Sequence, residues 1–215
     1  MTATMRHTAA PRLVVITDST LAPESVLERR IELLLSLSRP ETVMVQLRDP
    51  GLPVRQRFSF GRRLGELCDA HRQWFVVNDR LDLAVLLGAD GVHLGERSAC
   101  VRDARAVLPK GAFVSQASHA PGAHDDGVDA VLLSPIADAR KGRPALGVRA
   151  LWDARRHIGA ASAPGRGPLL FALGGIRAEN ARECLDAGAD GVAVVGAALD
   201  GRAIEPLLEA LDILC

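Results

Sequence analysis

The chain has 215 residues, 48% of them hydrophobic and 24% charged, and its 26 basic and 26 acidic side chains cancel. That length suits one domain with a full core better than two small ones. Zero net charge excludes the electrostatic footprint of a nucleic-acid or anionic-membrane binder, and no apolar run approaches the ~20 residues of a transmembrane helix. Residues 1–11 carry Arg6 and His7 but no apolar segment of a secretory signal, so they read as a flexible tail before a domain over 12–215. Cys68, Cys100, Cys184 and Cys215 are widely spaced with no CxxC pair, which fits reduced thiols in a cytoplasmic protein.

From there strand and helix patterns alternate. Leu13–Thr17 reads as a strand, and a helix opening at Pro23-Glu24 runs to Leu37. Thr42–Leu47 is a second strand, followed by a helix from Pro53 to about His71. Trp74–Val77, Val92–Leu94 and Ala112–Ser115 are further strands, with helices over Leu81–Leu87 and Val101–Leu108 between them. After the fifth strand Pro121-Gly122 interrupts the only helical candidate. Ala130–Leu133 is a sixth strand, and a helix over Val148–Ile158 follows a long loop. Leu169–Leu173 and Val192–Val195 complete the strands, and Ala203–Leu214 is a last helix.

Three copies of one helix-to-strand junction support this reading: Gly88–Val92, Gly127–Val131 and Gly188–Val192, each with an aspartate in the middle. Such alternation predicts a parallel sheet with helices outside, and eight units predict a (β/α)8 TIM barrel. The last βαβ unit, from Leu169 to Ala198, is the organising stretch. It carries glycine turns after two strands, at Gly174-Gly175 and at Gly196, where backbone N–H groups and helix N-termini favour a phosphate.

In such a barrel chemistry collects where the strands end. The polar residues there are Asp18, Gln46, Arg48, Asn78, Asp79, Arg80, Glu96, Gln116, His119 and Lys141. Gln46 and Arg48 could face a phosphorylated or carboxylated ligand. Asn78-Asp79 could offer an amide to a heterocycle and a carboxylate to Mg2+, or could simply cap the next helix. His93 lies within a strand and reads as structural. His119 lies just beyond strand five, where a histidine suits proton transfer near neutral pH. The loop Pro135–Leu146, with Arg140, Lys141 and Arg143, has the composition of a mobile lid over an anion.

Taken together, these residues resemble the family of thiamine-phosphate synthase and the thiazole tautomerase TenI. The resemblance runs from about Leu13 to Leu214. It rests on VVITD (Val14–Asp18), VQLRD (Val45–Asp49), the long run Asn78–Glu96, SPI (Ser134–Ile136), KGRPALGV (Lys141–Val148), LGGI (Leu173–Ile176) and AGADGVAVVGA (Ala187–Ala197). It implies a barrel acting on a small phosphorylated thiazole in thiamine biosynthesis, with Gly175, Val195 and Gly196 contacting phosphate. For a synthase, which joins that thiazole to a hydroxymethylpyrimidine diphosphate and releases diphosphate, it implies Gln46, Arg48, Asn78 and Asp79 at the pyrimidine, diphosphate and Mg2+.

Departures from the family pattern favour the tautomerase, which needs no metal or other cofactor. Pro50 stands where a lysine is usual, Ser98 replaces a metal carboxylate, Ala117 replaces a serine, and Asp138-Ala139-Arg140-Lys141 replaces Thr-x-Thr-Lys. The tautomerase expectation makes His119 and Lys141 catalytic. The synthase, with Mg2+ on Asp79, is the alternative, and a non-catalytic precursor-binding protein a further one. Homo-oligomerisation stays open.

Overall fold

Eight parallel strands close on themselves in sequence order, with β8 returning to β1. They are β1 (Leu13–Ile16), β2 (Val43–Leu47), β3 (Trp74–Asn78), β4 (Gly91–Leu94), β5 (Phe113–Ser118), β6 (Ala130–Leu133), β7 (Leu169–Leu173) and β8 (Gly191–Val194). Outside them lie α1 (Glu24–Leu37), α2 (Val54–Ala70), α3 (Leu81–Leu87), α4 (Val101–Val107), α5 (Arg149–Ala161), α6 (Ala178–Asp186) and α7 (Ile204–Ala210). This computed structural model describes residues 7–140, 142–161, 167–195 and 201–215. The architecture is the (β/α)8 barrel that the alternation predicts.

The strands are apolar on both faces because each face has its own core. Leu13, Val15, Val43, Val45, Val92, Val114, Leu170 and Val192 pack outward with the helices. Val14, Ile16, Met44, Val76, Leu132, Phe171 and Ala193 form a separate cluster that fills the barrel. The two sets are the alternate residues of the same strands, as the period of two requires. Two of the repeated junctions need glycine at the strand start. A Cβ on Gly91 would lie 1.8 Å from the Phe113 carbonyl oxygen, and one on Gly191 would lie 2.2 Å from that of Arg12.

The junction aspartates fasten neighbouring strands. Asp90 accepts the Phe75 amide at 2.8 Å, Asp129 the Val114 amide at 2.7 Å and Asp190 the Leu170 amide at 2.7 Å. Arg105 pairs with Asp129 at 2.6 Å, and Arg155 pairs with Asp190. For Asp90 the neighbouring basic group is His7, whose Nε2 lies 3.3 Å away.

His7 also stacks on Trp74 with ring centroids 4.0 Å apart, and Trp74 leans on Phe113 at 5.4 Å. The Thr8 and Ala9 amides each donate to Glu41 Oε2 at 2.8 Å, and these bonds hold the Glu41 carboxyl below its ordinary pKa. Within the stretch 1–11 read as a tail, His7, Thr8 and Ala9 make these contacts because Glu41 offers an acceptor and Trp74 an apolar ring.

The ends of β5 and of the last helix differ from expectation. β5 continues to Ser118, so His119 follows the strand directly, and no helix lies between β5 and β6 among the described residues. The last helix stops at Ala210, after which Leu214 bridges to Ser38. Cys68 and Cys184 are buried, and burial pushes their thiols up, that of Cys184 to about 11. No described helix is long and apolar enough to cross a membrane.

Candidate active site at the barrel mouth

At the ends of β2 and β3 the structure joins Gln46 to Asn78. Gln46 is 1% exposed and donates through Nε2 to Asn78 Oδ1 at 3.0 Å. Its Oε1 is the one buried side-chain oxygen without a partner among the described residues. A buried amide oxygen left open costs free energy unless something donates to it, so this pair is set for a ligand N–H. Asp79 follows with φ +65°, a left-handed conformation held by its amide bond to the His93 carbonyl at 2.8 Å. The capping alternative for Asn78-Asp79 does not hold. The N-cap of α3 is Arg80, which lacks a side-chain cap bond, and the Asp79 carboxylate is not spent on that helix.

Arg48 could have paired with Asp49, but Asp49 accepts from Thr17 Oγ1 and the Ser19 amide, both at 2.5 Å. The Arg48 guanidinium instead acts on His93. Burial first, and the Arg48 charge second, lower the His93 pKa to about 4. His93 is therefore neutral near pH 7, with Nδ1 2.9 Å from Ser115 Oγ. It is the structural histidine expected.

Three other strand-end candidates are absorbed locally. Asp18 accepts from Thr20, Arg80 pairs with Asp82 at 2.5 Å, and Gln116 accepts the Asp125 amide at 2.8 Å. His119 is held through one ring nitrogen, with a carboxylate near the other. Nδ1 lies 2.6 Å from the Ser134 carbonyl and Nε2 3.5 Å from Glu96 Oε1, and Glu96 takes Arg143 of the β6–α5 loop at 2.7 Å. Ser98, at the position of a metal carboxylate in the family pattern, accepts the Gly95 amide at 2.8 Å and closes that turn.

Across the mouth, after β7, Gly174 and Gly175 have φ of +99° and +74°, which L side chains rarely adopt. Asn180 pins this turn to the start of α6: its Oδ1 accepts the Arg177 amide at 2.8 Å, and its Nδ2 donates to the Gly175 carbonyl at 2.9 Å. Among the described residues the Gly175 and Ile176 amides have no acceptor. They open on a cavity of about 560 Å3 lined by Gly174, Gly175, Arg177, Val195, Arg202, Arg140 and Asp138. Amides at a helix N-terminus with arginines around them suit an anion. Gly174, Gly175 and Val195 thus share one cavity, while Gln46, Arg48, Asn78 and Asp79 lie at or just beyond the ends of β2 and β3, on the far side of the closed barrel from β7. Lys141 and Gly196, the other two expected site residues, lie outside the described residues.

Asp138, Arg177 and Arg202 were not among the expected site residues. A charge pattern was present, with Asp138 in a lid-like loop and Arg177 directly after the glycine turn. Reading Arg177 only as a helix start hid its second use. No cluster of three metal-ligating side chains occurs among the described residues. Asp79 is the single carboxylate that the family resemblance assigns to Mg2+ at this mouth.

A family model described as thiamine monophosphate synthase matches residues 13–198. A thiamine-phosphate synthase of Methanoculleus marisnigri is 41% identical over 161 residues, 72% of each chain. One from Gloeobacter violaceus is 34% identical over 214 residues, 95% of this chain, which spans 58% of that longer protein. Among solved structures, thiamine phosphate pyrophosphorylase from Pyrococcus furiosus superposes with a TM-score of 0.76 at 26% identity, covering 94% of this chain and 95% of that one. The chain, a closed barrel, belongs to the thiamine monophosphate synthase family.

Proposed function

We propose that the protein is a thiamine-phosphate synthase that joins a thiazole phosphate to a hydroxymethylpyrimidine diphosphate and releases diphosphate. The observation that carries this reading is the presence of two separate polar walls at one mouth. The Gln46–Asn78 pair, with Arg48 and Asp79 next in the chain, sits at the ends of β2 and β3, and the glycine turn follows β7 on the other side of the barrel. A reaction of two substrates needs both walls, whereas a tautomerase needs only one. The relatives named thiamine-phosphate synthase weigh the same way.

The bond chemistry agrees with the groups on offer. The thiazole ring nitrogen attacks the pyrimidine methylene carbon with its own lone pair as the carbon–oxygen bond to diphosphate breaks. The nucleophile gives up no proton, so no general base must face it. The site's task is to hold two rings in line and to receive negative charge on the departing diphosphate. Gln46 and Asn78 orient the pyrimidine through its hydrogen-bonding edge, and Arg48 meets developing charge. Asp79 is the residue that would hold Mg2+, and the ion would supply the remaining neutralisation of the leaving group. The glycine turn holds the thiazole phosphate.

The tautomerase expectation rested on His119 as a free acid/base. That reaction moves a proton between two atoms of the ligand and needs such a group turned toward it. His119 turns Nδ1 to Ser134 and Nε2 to Glu96, which ties it to Arg143 and the β6–α5 loop. Its role here is to position that loop. Pro50 and Ser98 weighed against the synthase as lost charge and a lost ligand. They carry less weight beside Asp79, which is unspent on the helix cap.

Calorimetric titration of each substrate tests the two-wall reading. Gln46→Leu is expected to weaken the pyrimidine diphosphate by about 10- to 100-fold, the scale of leaving a polar ligand group unpaired, and to spare the thiazole phosphate. Equal loss of both, or of neither, would contradict it.

A further inference from the structure

The glycine turn already has an anion over it. A Cβ built on Gly175 would lie 2.5 Å from Asp138 Cγ and 2.7 Å from Asp138 Oδ2, so the carboxylate occupies the space above the turn. Arg177 Nη2 reaches Asp138 Oδ2 at 3.1 Å, while its Nη1 lies 3.3 Å from the Gly175 carbonyl. Asp138 comes from the β6–α5 loop, which is moored next to the turn by the Ala137 amide on the Gly174 carbonyl at 2.8 Å. Arg140, Arg177 and Arg202 line the cavity together with Asp138 and Glu179. Neither the pair nor its placement follows from the backbone turn alone. An arginine there has been given an internal carboxylate as its partner.

A phosphate cannot share this space with Asp138 unchanged, because like charges a few ångströms apart repel. It can, however, replace the carboxylate on the same guanidinium, which binds either group through paired N–H donors. We propose that Asp138 stands in for the substrate's phosphate in the free protein, and that binding exchanges the two. Asp138 leaves the turn, and Arg177 becomes a side-chain ligand of the phosphate beside the Gly175 and Ile176 amides. Arg177 is then the residue by which this site distinguishes a phosphorylated thiazole from its alcohol. Asp138 lowers affinity for phosphate generally, so that an anion must release it to bind. This inference rests on the assignment of the turn to phosphate.

The test uses the full chain and three probes: inorganic phosphate, thiazole phosphate and the unphosphorylated thiazole, each titrated calorimetrically. Asp138→Asn is expected to tighten inorganic phosphate about 10-fold. Arg177→Gln is expected to weaken both phosphorylated probes by about 10- to 100-fold, the scale of a charge-assisted hydrogen bond. The alcohol should change less than about 2-fold in either variant. Since Asp138 acts by occupying Arg177, the gain from Asp138→Asn should shrink in the Arg177→Gln background, a non-additivity that mere damage to the loop would not produce. Arg177→Lys, which keeps the charge, serves if Arg177→Gln fails to fold, and should fall between the two. Unchanged phosphate affinity in Asp138→Asn, or wild-type affinity in the Arg177 variants, overturns the exchange. If phosphate follows the variants as expected but no thiamine phosphate is ever formed, the exchange stands and the synthase reading fails. If turnover is normal and phosphate ignores both variants, the reverse holds.

Discussion

The two ends of the barrel use the same residue types to opposite effect. At the base, Asp90, Asp129 and Asp190 each accept a strand amide and each have a basic group beside them. Gly91 and Gly191 there are bare because a neighbouring backbone fills the space. At the mouth, the Gln46 amide oxygen is buried without a partner among the described residues, Asp79 is held in a left-handed conformation while Arg80 is the N-cap of α3, and the Gly175 turn opens on a cavity. Polar groups that close on one another make a scaffold. The same groups left open within a rigid frame make a binding site, at a cost in stability that the satisfied end offsets.

That contrast can be broken most sharply at Gly175. Gly175→Asp adds bulk within 2.5 Å of Asp138, a like charge, and a side chain at φ +74°. Binding of thiazole phosphate should fall by more than about 100-fold, measured by titration, with the fold retained. Normal binding would move the phosphate site elsewhere. On the opposite wall, Asp79→Asn should lower kcat/KM for thiamine-phosphate formation by about 10- to 100-fold and reduce the response to added Mg2+.

Between the two ends lies His93, whose pKa of about 4 makes a prediction about pH. The unfolded imidazole takes up a proton near its ordinary pKa of about 6.5, while the folded one resists until about 4. Its contribution is therefore complete above pH 6.5 and is lost as pH falls toward 4. Denaturant titrations at pH 7 and pH 4.5 should show the wild type losing about 2–3 kcal/mol more than His93→Gln over that interval. Equal losses would place a charged imidazole in the barrel. At the base, Asp129→Ala should cost about 1–3 kcal/mol by stranding the Val114 amide and Arg105, with kcat of the folded fraction unchanged. The smallest effect is expected at His119: His119→Ala should slow thiamine-phosphate formation by less than about 10-fold, since the loop keeps its Glu96–Arg143 pair. A loss of about 10^2-fold or more would return it to acid/base catalysis.

Much of the frame is legible in the chain because it is written as local periodicity. Each strand is a short apolar run bounded by turn residues, and the three junctions with a central aspartate repeat at the starts of β4, β6 and β8. What those aspartates do is not legible, since their partners Phe75, Val114 and Leu170 are amides of the preceding strand that only closure brings near. The same limit applies at the mouth. Gln46 and Asn78 could each be placed at a strand end, but their hydrogen bond depends on register across 32 positions. His119 could be placed beyond β5, yet the direction of its ring is set by the Ser134 carbonyl on the next strand. Asp138 and Arg177, 39 positions apart, meet only when the loop folds over the turn.

The central claim is that the mouth unites two substrates. The direct measurement is turnover by the purified full chain given thiazole phosphate, hydroxymethylpyrimidine diphosphate and Mg2+, with thiamine phosphate and released diphosphate both quantified and the thiazole carboxylate tautomer assayed in parallel. The account predicts thiamine phosphate and diphosphate in equal amounts, abolished by Gly175→Asp, with no comparable aromatisation of the tautomer. Aromatisation without thiamine phosphate would contradict it.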